Sequence, residues 1–214
     1  DHRDLHSFPT RRSSDLVAEL CEADNLQYLG ILFGTYILVE SLSGEALLLI
    51  DFHAAHERVH YEALLARAAR PGAAASQTLL LPVTVELSRP AAAFLTRNAG
   101  MFEALGFELA ALSSNTVMVS AVPAALSGGA DWEQLLNDTI GELLDGERAQ
   151  QTTLENIARA ACHAAVRAHD RLEPESAQAL LKALSRCRRP DVCPHGRPTV
   201  LKLTRTELAR RFGR

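Results

Sequence analysis

The sequence predicts an α+β fold in two lobes, and three observations carry that prediction. Strand-like runs come in hairpin-spaced pairs instead of alternating singly with helices, which disfavours a parallel, doubly wound sheet. The helical patterns are several and unevenly spaced. A central block has strands and helices of its own, enough to close a second compact lobe between flanking parts of the first. With 214 residues, 47% hydrophobic and 22% charged, the chain can bury such cores and is neither disordered nor fibrous in composition.

The elements follow in order. Residues 1–16, DHRDLHSFPTRRSSDL, combine little apolar periodicity with a proline and a cluster of Arg, Ser and Asp, the composition of a disordered leader. Residues 7–16 also resemble the conceptual translation of a common sequencing adapter, so this leader is expected to be non-native or disordered. Composition changes abruptly at Val17. In QYLGILFGTYILVES (27–41), Tyr36, Leu38 and Glu40 alternate with Ile37 and Val39, and after the turn Ser43-Gly44-Glu45 a second apolar run covers 46–50. Two hairpin-connected strands are expected here, the second largely buried. From Ala54 the pattern becomes AAHERVHYEALLARAAR, rich in helix formers and ending at Pro71-Gly72, so a strand-to-helix junction lies at Asp51-Phe52-His53.

QTLLLPVTVELS (77–88) is extended, with Pro82 restricting it to an edge or an interruption. Pro90 then opens a helix through AAAFLTRNAGMFEALG. FELAALSSNTVMVSAVP gives two strands around Ser113-Ser114-Asn115, and 132–144 is helical. The Ala-rich helix expected over 154–169 has side chains small enough for neighbouring backbones to approach. An amphipathic helix over 175–187, Pro190, the cluster DVCPHGRP, a strand over 199–203 and a helix over 206–212 complete the series.

Charge and composition narrow the function. Lys and Arg number 22 against 26 Asp and Glu, a formal net charge of -4. A broad basic surface gripping nucleic acid unaided is thereby disfavoured, and any DNA contact must be local, transient or delivered by a partner. Cys21, Cys162, Cys187 and Cys193 form no dense framework, which points to a reducing compartment or a metal site rather than a secreted disulfide scaffold. No apolar run approaches the roughly 20 residues that span a bilayer, and charge occupies the N-terminus where a signal peptide has its apolar stretch. A cytoplasmic protein with no membrane partner is expected. There is no Gly-rich phosphate loop followed by Lys and no nucleophile elbow.

His53, His56 and His60 cluster beside Asp51, Glu57 and Glu62. On a helix, His53 and Glu57 are four positions apart and face the same way, while Asp51 ends the preceding strand. Such carboxylate and imidazole donors suit Zn²⁺ or Mn²⁺; the alternative is a solvated helix face on which His and Glu merely pair. Glu62, about 140° around the helix from Glu57, stands behind the ligands. In Cys193-Pro194-His195-Gly196-Arg197-Pro198 a thiol and an imidazole two residues apart can meet one ion. Cys162, within ARAACHAAVRAH, either approaches that site or is a buried core residue; Cys21 and Cys187 are taken as structural.

DFHAAHERVHYE resembles the signature of the endonuclease C-terminal domain of the MutL mismatch-repair family: Asp-Gln-His-Ala, two variable residues, Glu, four variable residues, Glu. Asp51, His53, Ala54, Glu57 and Glu62 match it in spacing. The resemblance continues through LGILFGTYILVE, ACHAAVRA, CPHGRP and ELARRFGR and so covers residues 17–214. Phe52 departs from the usual Gln, as does Ile31 near the strand glycine; neither change removes a metal ligand, although Phe52 is expected to cost a polar group beside the site.

The resemblance implies a two-lobed MutL C-terminal-like fold, with a dimerisation and metal-site lobe from 17–81 and 150–214 and an inserted external regulatory lobe at 82–149. It assigns Asp51, His53, Glu57, Cys162, Cys193 and His195 to the metal neighbourhood, direct ligation being best supported for His53, Glu57, Cys193 and His195, and Asp51, His53 and Glu57 to catalysis. Glu62 and Arg197 form the layer behind. The implied reaction is metal-dependent nicking of one strand of duplex DNA in mismatch repair with Zn²⁺ and/or Mn²⁺. Either two ions act on the phosphate and the leaving oxygen, or one Zn²⁺ organises or regulates the site while Mn²⁺ supports cleavage. Arg58 and Arg197 either touch phosphate or form solvent-facing ion pairs.

Gln77-Thr78-Leu79-Leu80-Leu81-Pro82 resembles the family's peptide for docking on the bacterial sliding clamp, with Gln77, Leu80 and Pro82 at the anchor positions; by composition alone it is a buried strand. Homodimerisation, MutS as a partner and a separate N-terminal ATPase region are also implied. The competing reading is a non-catalytic dimerisation and partner-binding module with a structural or regulatory zinc site.

Overall fold

The computed structural model describes residues 26–42, 44–70, 76–126, 131–145, 152–167 and 173–214. The leader at 1–16, Cys21, Ser43 of the expected turn, Pro71-Gly72 and 168–169 lie outside the described residues. In chain order the elements are β1 (Leu26–Leu32), β2 (Tyr36–Ser41), β3 (Ala46–Asp51), α1 (Phe52–Ala68), β4 (Ser76–Glu86), α2 (Arg89–Leu105), β5 (Glu108–Ala111), β6 (Thr116–Pro123), a 3₁₀ turn (Ala124–Leu126), α3 (Trp132–Asp145), α4 (Leu154–Arg167), α5 (Pro174–Leu184), β7 (Val200–Thr204) and α6 (Arg205–Arg211). The fold is mixed α and β with two separate antiparallel sheets, as the pairing of strand-like runs predicts. The chain divides into two compact units, Asp1–Arg58 with Arg171–Arg214, and Val59–Asp170.

The first unit holds a sheet of order β1-β2-β3-β7. Segment 27–41, expected as one strand, is a hairpin of two. Phe33 and Gly34 have φ of 53° and 68°, and the Thr35 N–H donates to the Leu32 carbonyl at 3.0 Å. Two consecutive left-handed residues make the turn whose twist suits tightly paired strands. Asn-Gly or Asp-Gly would have advertised it; Phe-Gly does not. Ile37, Val39, Leu48, Ile50 and Val200 are buried on one face of the sheet. On the other, Leu38 pairs with Leu49, Leu49 with Leu201, and Leu47 with Leu203, and this leucine face is half-buried to exposed. α5 packs against β1 with Ala177, Leu180 and Leu184 inward. It stops at Leu184, short of the expected 187, and α6 starts with a capping box between Thr204 and Glu207.

The second unit has a sheet of order β4-β6-β5 and helices α2, α3 and α4. Ser88 caps α2 by accepting from the Ala91 N–H at 3.3 Å, and left-handed Gly106 ends it, as a C-terminal glycine does. Phe94, Phe102, Phe107, Leu136, Ile140 and Ile157 share its core, and α3 packs along the Ala-rich α4, where small side chains permit close approach. Leu64 of α1, Val85 of β4 and Ile157 to Ala165 of α4 belong to this core, and β4 pairs with β6, so these segments go with the second unit.

β4 is an edge strand interrupted in the middle. Residues 76–78 pair with 121–123 and 83–86 with 116–119, and the register shifts between. Pro82 brings no N–H to the ladder, and the bulge it ends leaves Leu80 98% and Leu81 78% exposed. Composition alone suggests a buried strand; the chain instead spends two leucines on solvent. No helix among the described residues is long and apolar enough to cross a membrane.

Candidate metal centre

The centre belongs to the first unit, where β3 turns directly into α1. The strand is held on both sides up to that turn: the Asp51 N–H donates to the Thr199 carbonyl at 2.9 Å and the Phe52 N–H to the Thr35 carbonyl at 3.1 Å. Asp51 Oδ1 accepts from the N–H groups of His53 at 2.9 Å and Ala54 at 3.1 Å. It is therefore the N-cap of α1, occupied with the backbone donors that every helix start leaves over. His53 Nδ1 is 3.9 Å from the same oxygen. Phe52 is buried, its ring centroid 3.9 Å from that of His53 and 5.7 Å, edge-on, from that of His56. The position where Gln is usual is thus a core position between two imidazoles.

Glu57, one turn further, is only 2% exposed in its side chain. The segment 190–199 is folded back onto it. An isolated bridge joins Val192 and Pro198, the Cys193 N–H donates to the Arg197 carbonyl at 2.8 Å, and the Gly196 N–H donates to the Cys193 carbonyl at 3.0 Å. Gly196 has φ of 84°, which a side chain would resist. The Thr199 hydroxyl donates to the Pro190 carbonyl. Arg58, a candidate for phosphate contact on sequence grounds, is instead buried, and its Nε donates to the Val192 carbonyl at 2.6 Å. It straps the loop to the helix.

Glu57, Cys193 and His195 come together as a result, one ligand atom of each lying within 4.8 Å of the others. Glu57 Oε2 is 3.0 Å from His195 Nδ1, and Oε1 accepts from Arg197 Nη2 at 2.7 Å. The His195 backbone N–H donates to buried Cys193 Sγ at 3.4 Å. Burial by itself would raise the Glu57 carboxyl, but hydrogen bonds from His195 and Cys193 and the positive charges of His195 and Arg197 outweigh it and hold the group at about 2, below the usual 4.5. The carboxylate stays ionised at neutral pH, as a ligand must. A carboxylate oxygen, a thiol sulfur and an imidazole nitrogen in one cluster fit Zn²⁺, which accepts all three.

Neither Asp51 nor His53 joins a mutual group of three ligand atoms among the described residues, and both side chains are more than a third exposed. Cys162 is fully buried in the hydrophobic core of the second unit. Glu62 lies on α1 past the division, half-buried. Arg197 is an ion-pair partner of Glu57 with its side chain 58% exposed. Sequence reasoning missed the capping role of Asp51, although an Asp directly before a helical pattern is its signal, and the strap made by Arg58, for which no local signal exists. It also missed the pair of His163 and Glu142 in the second unit, 2.8 Å apart.

Comparison with known proteins adds ancestry to this geometry. The family described as MutL C terminal dimerisation domain matches residues 29–172. The chain is 40% identical over 195 residues to the DNA mismatch repair protein MutL of Symbiobacterium thermophilum, covering 88% of this chain and 30% of that protein. To the protein of the same description from Halobacterium salinarum it is 39% identical over 209 residues, 96% of this chain and 30% of that one. To that from Syntrophobacter fumaroxidans it is 40% identical over 191 residues, 88% and 28%. The chain spans about 30% of the length of these curated relatives.

Proposed function

This chain belongs to the MutL family through its C-terminal dimerisation domain, and from that premise we propose that it is a metal-dependent endonuclease unit that nicks one strand of duplex DNA during mismatch repair. The observation that carries the reading is the convergence of Glu57, Cys193 and His195 across 138 positions of sequence. Those three residues would hold the ion. A divalent ion bound there supplies Lewis-acid stabilisation of the charge that builds on a phosphodiester. Glu57 presents an ionised carboxylate, Arg197 orients that carboxylate from the solvent side, and Arg58 fixes the loop that carries Cys193 and His195. Asp51 and His53, at the open end of the junction, are proposed to hold water or move a proton beside the phosphate. Zn²⁺ suits the sulfur-containing group; Mn²⁺ suits oxygen donors better and is the proposed ion for cleavage.

The leucine face of the first sheet is proposed as the homodimer surface, since an antiparallel sheet with one face on the core ordinarily shows polar residues on the other. Gln77, in the paired stretch just before the bulge of β4, and Leu80 and Pro82, on the exposed bulge itself, are the proposed anchors for the bacterial sliding clamp. Clamp docking supplies the DNA affinity that a chain of net charge -4 lacks, and MutS is the proposed upstream partner. The second reading, a non-catalytic module with a structural or regulatory zinc, is favoured by the burial of Cys193 and by the capping duty of Asp51.

Nicking of supercoiled DNA in Mn²⁺, with and without clamp, decides between them when wild type is compared with Glu57→Lys and the dimer is checked by sedimentation. Loss of nicking with the dimer intact supports the enzyme; nicking undiminished in the variant overturns it.

A further inference from the structure

We propose that Phe33, at the tip of the β1–β2 hairpin, is a DNA-positioning residue, an apolar wedge set against a base step beside the bond to be cut. The inference rests on the nicking reading above and adds the element that would orient the duplex. Phe33 is 90% exposed and has φ of 53°. Both features cost stability: a large apolar ring stands in water, and a bulky residue occupies left-handed backbone that Asn or Gly adopts at far less cost. Neither cost is returned inside the unit, because the turn closes through its backbone and Thr35. The Thr35 N–H bonds Leu32, and its hydroxyl donates to the Phe33 carbonyl at 3.2 Å. The ring is thus presented on a fixed turn.

Its place says what it is presented to. The hairpin tip and the 190–199 segment flank the end of β3 from opposite sides, since Phe52 bonds the carbonyl of Thr35 and Asp51 bonds that of Thr199. Asp51, His53 and Arg197 make this end of the sheet polar and ionic. That neighbourhood fits a phosphodiester with its bases. Aromatic and aliphatic wedges enter between bases without reading sequence, and loss of an aromatic stack weakens binding by about tenfold or more.

The test uses the full chain as wild type, Phe33→Asn and Phe33→Trp, at low salt, with a duplex carrying 2-aminopurine. Three readouts are taken: DNA affinity, 2-aminopurine fluorescence and Mn²⁺-dependent nicking. Wild type is expected to change the fluorescence as it unstacks the base. Phe33→Asn should lose that change and about tenfold in affinity while melting at the same or a higher temperature, and Phe33→Trp should restore both. Equal affinity and fluorescence in wild type and Phe33→Asn overturn the proposal, as does loss of the dimer with DNA binding unchanged, which would assign the tip to a protein contact. If wild type binds and unstacks DNA but never nicks, the nicking reading fails and the wedge stands. If wild type and Phe33→Asn nick equally, the wedge fails alone; absence of both DNA binding and nicking by wild type, with sliding clamp present, overturns both.

Discussion

Replacing Glu57 by glutamine keeps the shape of the side chain and removes its charge, which isolates what the ionised form contributes. Folded, the carboxyl titrates at about 2; its ordinary value is 4.5. Between those values the unfolded chain binds more protons, so stability rises with pH there. The contribution is complete above about 4.5 and is lost as pH falls through about 2. In metal-free protein, Glu57→Gln should flatten this part of the curve of denaturant midpoint against pH; an unchanged slope would contradict the account. Glu57→Ala goes further and leaves His195 and Arg197 without their acceptor. Breaking a buried pair costs about 3–5 kcal/mol, and with Arg197 half in solvent we expect about 2–3 kcal/mol in chemical denaturation.

At the scale of elements, the start of α1 depends on one residue. Asp51 caps the helix, and removing a cap costs roughly 1 kcal/mol. Asp51→Asn keeps an oxygen for the His53 and Ala54 N–H groups and should melt within about 2 °C of wild type, while Asp51→Ala should not. If the carboxylate also serves cleavage, both variants lose nicking; full activity in Asp51→Asn would confine Asp51 to capping. The bulge of β4 behaves differently. Leu80 touches little, so Leu80→Ala should shift stability by no more than about 0.5 kcal/mol yet abolish binding to immobilised clamp, and retained binding would remove the bulge from that role. Period and punctuation made most elements legible in the sequence: the β3-to-α1 junction, the Pro90 helix start and the strands around Ser113 were all readable. The β1–β2 turn was not, because Phe-Gly carries half of the usual signal. The site was legible by residue type in two separate pieces, DFHAAHE and CPHGR. Their meeting was not, since it depends on Arg58 and on strand pairing that no local pattern encodes.

The net charge describes the whole chain, and it conceals an asymmetry. Residues 171–214 hold 11 of the 22 basic side chains and 4 of the 26 acidic ones, so positive charge is concentrated in the segment that includes the Cys193 loop. Weak, strongly salt-dependent DNA binding is the expected result. The surface proposed for self-association is a different one. Leu201 is exposed on the leucine face of the sheet, and Leu201→Glu should convert a dimer to a monomer by sedimentation equilibrium without lowering the metal content; a dimer that survives would place the interface elsewhere. The claim on which the remainder depends is that one ion can meet Glu57, Cys193 and His195 together. X-ray absorption at the zinc edge of the loaded, purified chain measures this most directly. The account predicts one sulfur at about 2.3 Å beside nitrogen and oxygen ligands, with the sulfur shell lost in Cys193→Ser. Zinc bound with no sulfur neighbour in wild type, or no stoichiometric zinc at all, would contradict it.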